Sequence, residues 1–433
     1  MHTELQTLLV DPPCVNNMPL LKQQQQQLPL DLPVIHNLPI QQVIEEKIES
    51  VSILKWESDQ ENAFFVADIG EVYRQHLRWK SLLPRIEPFF AIKSNPDPMV
   101  VRLLAAIGIG FDCASKSEIQ QVLSLGVEPE RIIYANPCKQ ASFIRYASQH
   151  NVAKMTFDNA EELHKIKMLY PNAELVLRIL TDDSKSLCQL GLKFGAPLEE
   201  VPSLLQTAKD LDLNVIGISF HVGSGCLDEN AFADAVVRAR WAFDQGEKLG
   251  FKFDLLDVGG GFPGADVQDG ITFEKVAAIL GPAVDTMFPS NVRVIAEPGR
   301  YYVASAFTAC THVIGRRTVK AENQTQYMYY VNDGMYGSFN CILFDHQVVY
   351  PTVLTQGGKK YYEKKQDNDE TFTSSIWGPT CDSIDCLAKE AKLPVLDDGD
   401  WIKWDNMGAY TICAASQFNG FRQSEIIYTN TFQ

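Results

Sequence analysis

Phe89-Phe-Ala-Ile-Lys93, Gly110-Phe-Asp-Cys113, Arg131-Ile-Ile-Tyr-Ala135 and Lys154-Met-Thr-Phe157 follow one another as short apolar runs. Glu174-Leu-Val-Leu-Arg-Ile179, Val215-Ile-Gly-Ile-Ser-Phe-His221, Leu255-Leu-Asp-Val258 and Arg293-Val-Ile-Ala296 continue the series to eight. Runs this short, rich in Val, Ile and Phe, are strands buried on both faces, as in parallel sheets. Seven helical patterns separate them, those at 117–125, 159–169 and 229–249 among them. Eight buried strands with helical crossovers predict an α/β fold, a (β/α)8 TIM-type barrel, and roughly 210 residues are enough for one. An open doubly wound sheet is the alternative, but it would not need eight evenly spaced strands.

Outward from this core the pattern changes. Upstream, Asn62-Ala-Phe-Phe-Val-Ala-Asp68 reads as a strand and 69–83 as an amphipathic helix ending before Pro84. Downstream, 301–317, 326–331, 347–354, 373–376 and 409–416 read as strands with few helices between them, so a mostly β C-terminal domain follows. The charged, Gly-led stretch 357–371 reads as a surface loop. Residues 1–39 hold six of the 22 prolines and a glutamine run at 23–27, a composition expected to be disordered. The expected organisation is a leader over 1–39, a segment at 40–65 packing with the β-domain, the barrel over 66–300 and the β-domain over 301–433.

Composition narrows the function classes. The chain has 433 residues and a net charge of −16, which argues against nucleic acid or an anionic membrane as the main partner. No apolar run approaches the roughly 18 residues that a membrane helix needs. The ten cysteines are scattered without C-x-x-C spacing, so no metal site is expected. The opening Met-His-Thr-Glu has no basic region before an apolar stretch, so the expected compartment is the cytoplasm.

In a barrel of this kind, functional groups collect where strands end. Those positions carry Lys93, Asp112, Arg178, His221, Gly259-Gly-Gly261 and Glu297-Pro-Gly-Arg300. A lone strand-end Lys is usually solvated and a glycine triplet usually a tight turn; six convergent positions of this kind are not a packing choice. Glycine N–H groups with Arg300 suit a phosphate. A Lys93 shielded by apolar neighbours could form a Schiff base with an aldehyde. Glu297 could hold a proton on a pyridine nitrogen and His221 could lie against the ring. Together these describe pyridoxal 5′-phosphate, with phosphate-sugar chemistry on the same barrel as the alternative. In the β-domain, Asp345 follows an apolar run, Trp377-Gly-Pro-Thr-Cys-Asp382 couples a thiol to an acid, and Met407-Gly-Ala-Tyr410 adds a phenol. Cys381 is structurally a small hydrophobe and Asp385 a solvated or capping acid. Functionally, Asp345 and Asp382 could neutralise an ammonium while Cys381 gives a proton.

Phe90-Ala-Ile-Lys93-Ser-Asn95, Phe220-His-Val-Gly-Ser224, Asp257-Val-Gly-Gly-Gly-Phe-Pro-Gly264, Ala296-Glu-Pro-Gly-Arg300 and Val331-Asn-Asp-Gly-Met-Tyr-Gly-Ser-Phe-Asn340 resemble the motifs of eukaryotic ornithine decarboxylases. So do the two β-domain motifs just quoted, and the likeness spans about residues 40–430. It implies the alanine-racemase-like fold type III and a head-to-tail homodimer with shared active sites. The implied reaction is pyridoxal 5′-phosphate-dependent conversion of L-ornithine to putrescine and CO2. It implies Lys93 as the Schiff-base lysine, Glu297 on the pyridine nitrogen and His221 on the ring. Ser224, Gly261, Arg300 and Tyr410 would hold the phosphate; Asp112, Arg178, Gly260, Pro298 and Gly299 would be further cofactor contacts. Phe344 and Asp345 of one subunit and Asp382 of the other would bind ornithine, and Cys381 from that second subunit would protonate the product carbon. Residues 141–164 match the place where the family meets its inhibitory antizyme. Ser94 departs from the Cys of many relatives. Two other readings share this scaffold: a lysine or arginine decarboxylase, and a catalytically inactive regulator of the antizyme-inhibitor kind.

Overall fold

The computed structural model describes residues 32–53, 61–265, 271–321, 324–361 and 370–432. They form two compact units, one from Gln75 to Tyr302 and one made of the stretch ending at Arg74 together with Val303–Gln433.

The first unit is the barrel. Its strands are β1 (Ile86–Ala91), β2 (Gly110–Cys113), β3 (Ile132–Tyr134), β4 (Lys154–Phe157), β5 (Glu174–Arg178), β6 (Asn214–Ser219), β7 (Leu255–Asp257) and β8 (Arg293–Ala296). They close in chain order, all parallel, with Val294 of β8 opposite Ile86 of β1. Phe89, Ile133, Val176, Leu255 and Ile295 pack together as a buried cluster. At Gly217 in β6 a Cβ would come within 1.9 Å of the Leu255 carbonyl oxygen, so only glycine permits that approach. Helix starts are locally encoded: Asp97 caps Pro98–Ala106 by accepting the Met99 and Val100 N–H groups. Ser115 caps the Glu118 N–H while Glu118 reaches back to the Ala114 N–H, a reciprocal capping box. Outside the strands Trp79 meets Phe262, Phe273 and Tyr301 at ring distances of 4.8, 5.3 and 5.2 Å. Each such buried ring contributes about 2–3 kcal/mol.

In the second unit nine strands make one sheet, with Phe64–Asp68 between Phe307–Ala321 and Glu425–Thr429. Val43, Ile44, Phe64, Cys310 and Trp401 fill its core. The boundary therefore falls at residue 75 and not at 66: the apolar run at 64–68 is buried on both faces in the β-sheet. The leader also orders earlier than residue 40, since Ile35–His36 pairs with Tyr428–Thr429 and a helix runs from Ile40 to Ile53. The glutamine run lies outside the described residues.

Two strand expectations differ from the structure. Residues 300–303 form a short helix before the strand Phe307–Ala321. Burial of Tyr301 and Tyr302 among the aromatic rings overrides their strand preference. The stretch 409–416 forms turns, with Tyr410 at φ +55°, in place of a strand. Cys386–Leu393, Trp401–Trp404 and Glu425–Thr429 are strands that the pattern did not reveal, the first because its interior reads Ala-Lys-Glu-Ala-Lys. Of the loop at 357–371, Lys359–Lys360 pairs with Thr355–Gln356, and 362–369 lie outside the described residues.

Candidate active site

β1 ends at Ala91, whose N–H donates to the Pro298 carbonyl at 3.1 Å, and the chain tightens into a 3₁₀ turn over Ile92–Ser94. Lys93 therefore sits in that turn and not within the strand, and the Ser94 hydroxyl braces it by donating to the Ala91 carbonyl at 2.8 Å. Ala91 and Asp112 are register partners, which brings the Lys93 ammonium onto the Asp112 carboxylate. The Asp112 side chain is fully buried while 42% of the Lys93 side chain is exposed, so the acid is fixed and the amine reachable.

His221 follows β6. Its Nδ1 accepts the Gly223 N–H at 3.0 Å, which leaves the ring proton on Nε2 and the imidazole neutral. Burial pushes its pKa well below the usual value, and the Arg178 and Lys93 charges push the same way. A Cβ at Gly260 would lie 2.8 Å from His221 Nε2 and 2.9 Å from the Glu297 carbonyl, so glycine makes room for the ring. Gly259 at φ +63° and Gly261 at φ +104° take the left-handed backbone that glycine tolerates. Beside them Arg300 donates to the Ser224 hydroxyl at 2.7 Å. Arg178 lies 5.5 Å over the Phe194 ring.

Three buried carboxyl groups meet at this mouth. Burial raises the Glu297 pKa well above the carboxylate range, and the Asp257 and Asp112 charges add to it. Burial raises Asp257 as well, against the pull of the Gly259 N–H. Asp112 Oδ1, Asp257 Oδ2 and Glu297 Oε1 are buried and accept no hydrogen bond from a described residue. An acid-rich pocket with unfilled acceptors, a reachable amine and a glycine-arginine turn fits pyridoxal 5′-phosphate, whose ring N–H, aldehyde and phosphate match them in turn. Lys93, Asp112, Arg178, His221, Ser224, Gly260, Gly261, Glu297, Pro298, Gly299 and Arg300 all belong to this unit.

Phe344, Asp345, Cys381, Asp382 and Tyr410 belong to the second unit. Asp345 is buried, and Phe344 lines a cleft of about 550 Å³ with Met335, Tyr336, Ile384 and Phe418. Cys381 is exposed. Asp382 accepts the Tyr336 hydroxyl at 2.5 Å and the Ile384 N–H at 3.0 Å, bonds that hold its carboxyl below the usual range. Asp385 is neither solvated nor a helix cap. It exposes 1% of its surface and accepts the Met335 and Thr380 N–H groups and the Thr380 hydroxyl. At Gly334 and Gly378 a Cβ would strike this carboxylate, so it organises the loop that presents Cys381 and Asp382. Sequence reasoning assigned no role to Tyr336, Asp257 or Gly223. Of these, only Asp257, an acid at a strand end before the glycine triplet, carried a legible signal.

Residues 69–304 match the family described as "Pyridoxal-dependent decarboxylase, pyridoxal binding domain". The chain belongs to the pyridoxal-dependent decarboxylases, and its cofactor is pyridoxal 5′-phosphate. It is 53% identical over 391 residues to an ornithine decarboxylase of Schizosaccharomyces pombe, covering 89% of this chain and 87% of that one. An antizyme inhibitor 2 of Xenopus laevis is 50% identical, covering 89% and 84%. Among solved structures, the arginine decarboxylase of Paramecium bursaria Chlorella virus superposes with a TM-score of 0.82 at 33% identity, covering 90% of this chain and all of that one (100%).

Proposed function

We propose that the chain releases CO2 from L-ornithine to leave putrescine, and that it works as a cytosolic homodimer. The observation that carries the reading is the set of unfilled carboxyl acceptors beside Lys93 and His221, matched to a cationic ring N–H. When bound, pyridoxal 5′-phosphate supplies a ring into which the electron pair left by departing CO2 can spread. Asp112 holds Lys93 Nζ in place to bind the cofactor. Glu297 keeps the proton at the ring nitrogen, and neutral His221 covers one ring face without adding charge. Ser224, Arg300 and the N–H groups around Gly261 hold the phosphate, with Tyr410 as a further donor. Cys381 Sγ of the partner subunit gives the proton to the substrate Cα. Asp345 and the partner subunit's Asp382 pair with the distal ammonium, which favours a diamino acid over a neutral one.

Ornithine is favoured over arginine because the S. pombe relative is 53% identical and the viral arginine decarboxylase 33%. The homodimer is supported by large apolar side chains left open on the second unit, among them Phe344 at 67% and Tyr350 at 73% exposure. The antizyme-inhibitor likeness favours a second reading, a regulator bound by antizyme through residues 141–164. The pairing of Lys93 with Asp112 weighs against it, since a non-catalytic chain has no need to keep that amine placed. The deciding assay is labelled CO2 release from carboxyl-labelled ornithine, lysine and arginine by purified protein reconstituted with cofactor. Release from ornithine, lost in Lys93→Ala together with the cofactor's visible absorbance band, is the expected result. Release from lysine or arginine instead would move the substrate, and a protein with neither band nor CO2 would be the regulator.

A further inference from the structure

Two buried carboxyl groups, Asp257 and Glu297, meet at the barrel mouth. Asp257 exposes 1% of its surface, and its Oδ1 accepts the Gly259 N–H at 2.9 Å. Its carboxyl is within hydrogen-bonding reach of Glu297, yet Asp257 Oδ2 and Glu297 Oε1 have no donor among the described residues. The main chain locks this approach. Asp257 is the register partner of Ile295, Val258 donates to the Ile295 carbonyl at 2.9 Å, and Glu297 donates to the Gly259 carbonyl at 2.7 Å. Two carboxylates held this way in a buried place repel; one proton between them makes a hydrogen bond.

We infer that Asp257 is a positioning residue which, with the cofactor bound, is the neutral acid, its Oδ2–H donating to the Glu297 carboxylate and aiming it at the cofactor's ring nitrogen. The inference rests on the role given to Glu297 under the proposed function. Within the pair, the bond to Glu297 lowers Asp257 and the Asp257 charge raises Glu297, so the cofactor-free site keeps the shared proton on Glu297, and a cationic ring N–H set against Glu297 reverses that order. Asp112 adds to the negative potential at the pair while Arg178 and Lys93 subtract from it. His221 is neutral, and Glu118 and Cys113 stand beyond Asp112. With three acids facing two cations, one retained proton brings the mouth to balance, and the bond to Gly259 already marks Oδ1 as the carbonyl-like oxygen. Asparagine would reproduce this arrangement, its Oδ1 accepting from Gly259 and its Nδ2 donating to Glu297. Alanine would remove both bonds.

The test uses the full-length protein freed of cofactor. It measures binding of pyridoxal 5′-phosphate and of its carbocyclic analogue, in which CH replaces the ring nitrogen. Asp257→Asn is expected to bind the cofactor within about threefold of the parent, and Asp257→Ala to bind it about tenfold more weakly with the analogue little changed. An infrared difference spectrum of the cofactor-loaded protein should show a carboxylic-acid C=O stretch in the parent that is absent from Asp257→Asn. Asparagine as damaging as alanine in a folded protein, or no such band, would overturn the inference. Equal loss for cofactor and analogue would also overturn it, reducing Asp257 to a support for the glycine turn. If Asp257→Ala does not fold, the asparagine variant and the infrared band decide. Glu297→Gln separates the two readings: unchanged preference for the cofactor over its analogue there would overturn the role of Glu297 itself.

Discussion

At the barrel mouth Asp112, Asp257 and Glu297 sit at or just past strand ends and expose 1%, 1% and 9% of their surface, whereas Phe344 of the second unit exposes 67% and Cys381 lies on an open loop. The strands fix the first set through register: Ala91 opposite Asp112, Asp257 opposite Ile295. In the second set a buried acid, Asp385, gathers three donors and anchors the loop that bears Cys381. Buried acids perturbed by their neighbours are what cofactor chemistry needs. Exposed groups on an anchored loop are open to an approaching partner.

That contrast can be broken at its strongest point first. Lys93→Ala should lower CO2 release at least about a thousandfold, since the barrel mouth has no second reachable amine in the same turn. A smaller loss in a single-turnover assay would mean that the rigid mouth is not where bonds break. On the second unit, Asp385→Ala should cost about 3 kcal/mol of unfolding free energy, roughly a hundredfold in the equilibrium, because buried N–H and hydroxyl donors lose a charged acceptor. Urea unfolding with no shift would show that the loop has another anchor. Mixing Lys93→Ala with Cys381→Ala chains should restore about a quarter of the sites by random pairing, if each site draws on both kinds of region from different subunits. Mixtures as inactive as either parent would refute sharing.

Two smaller effects sharpen the comparison. Carboxyls raised by burial stabilise the fold below their unfolded pKa, and that contribution is lost as pH rises through the folded one. The cofactor-free protein should therefore lose stability between about pH 4 and about 7, the latter being the value to which Asp257 is raised. In Asp257→Asn the slope should shrink by on the order of 1–2 kcal/mol over that range, read by denaturant titration at each pH. Tyr336→Phe removes the phenol that holds Asp382 below the usual carboxylate range. Being exposed, that bond should change the ornithine KM by only about threefold, with kcat nearly unaltered.

The barrel was legible because strands covered on both faces must be apolar throughout, and the pattern survives without knowing what covers them. For the same reason Lys93, Asp112, Arg178, His221 and Glu297 stood out: a charged residue ending an apolar run has few structural uses. The second unit was less legible. Cys386–Leu393 carries lysines and a glutamate because one edge faces solvent, so its strand character comes from pairing with Phe372–Trp377. Tyr410 was found through its motif and not through its backbone, whose positive φ no pattern announced.

By itself the sequence determined eight buried strands, the chemistry at their ends and the family to which these belong, because burial and residue type are local properties. Only the tertiary structure decided that Phe64–Asp68 joins the β-sheet, that Asp385 is a buried anchor, and that Asp257 meets Glu297. Each of these depends on which group faces which across strands distant in the chain, and one unpartnered oxygen in a low-dielectric pocket changes what a carboxyl group is.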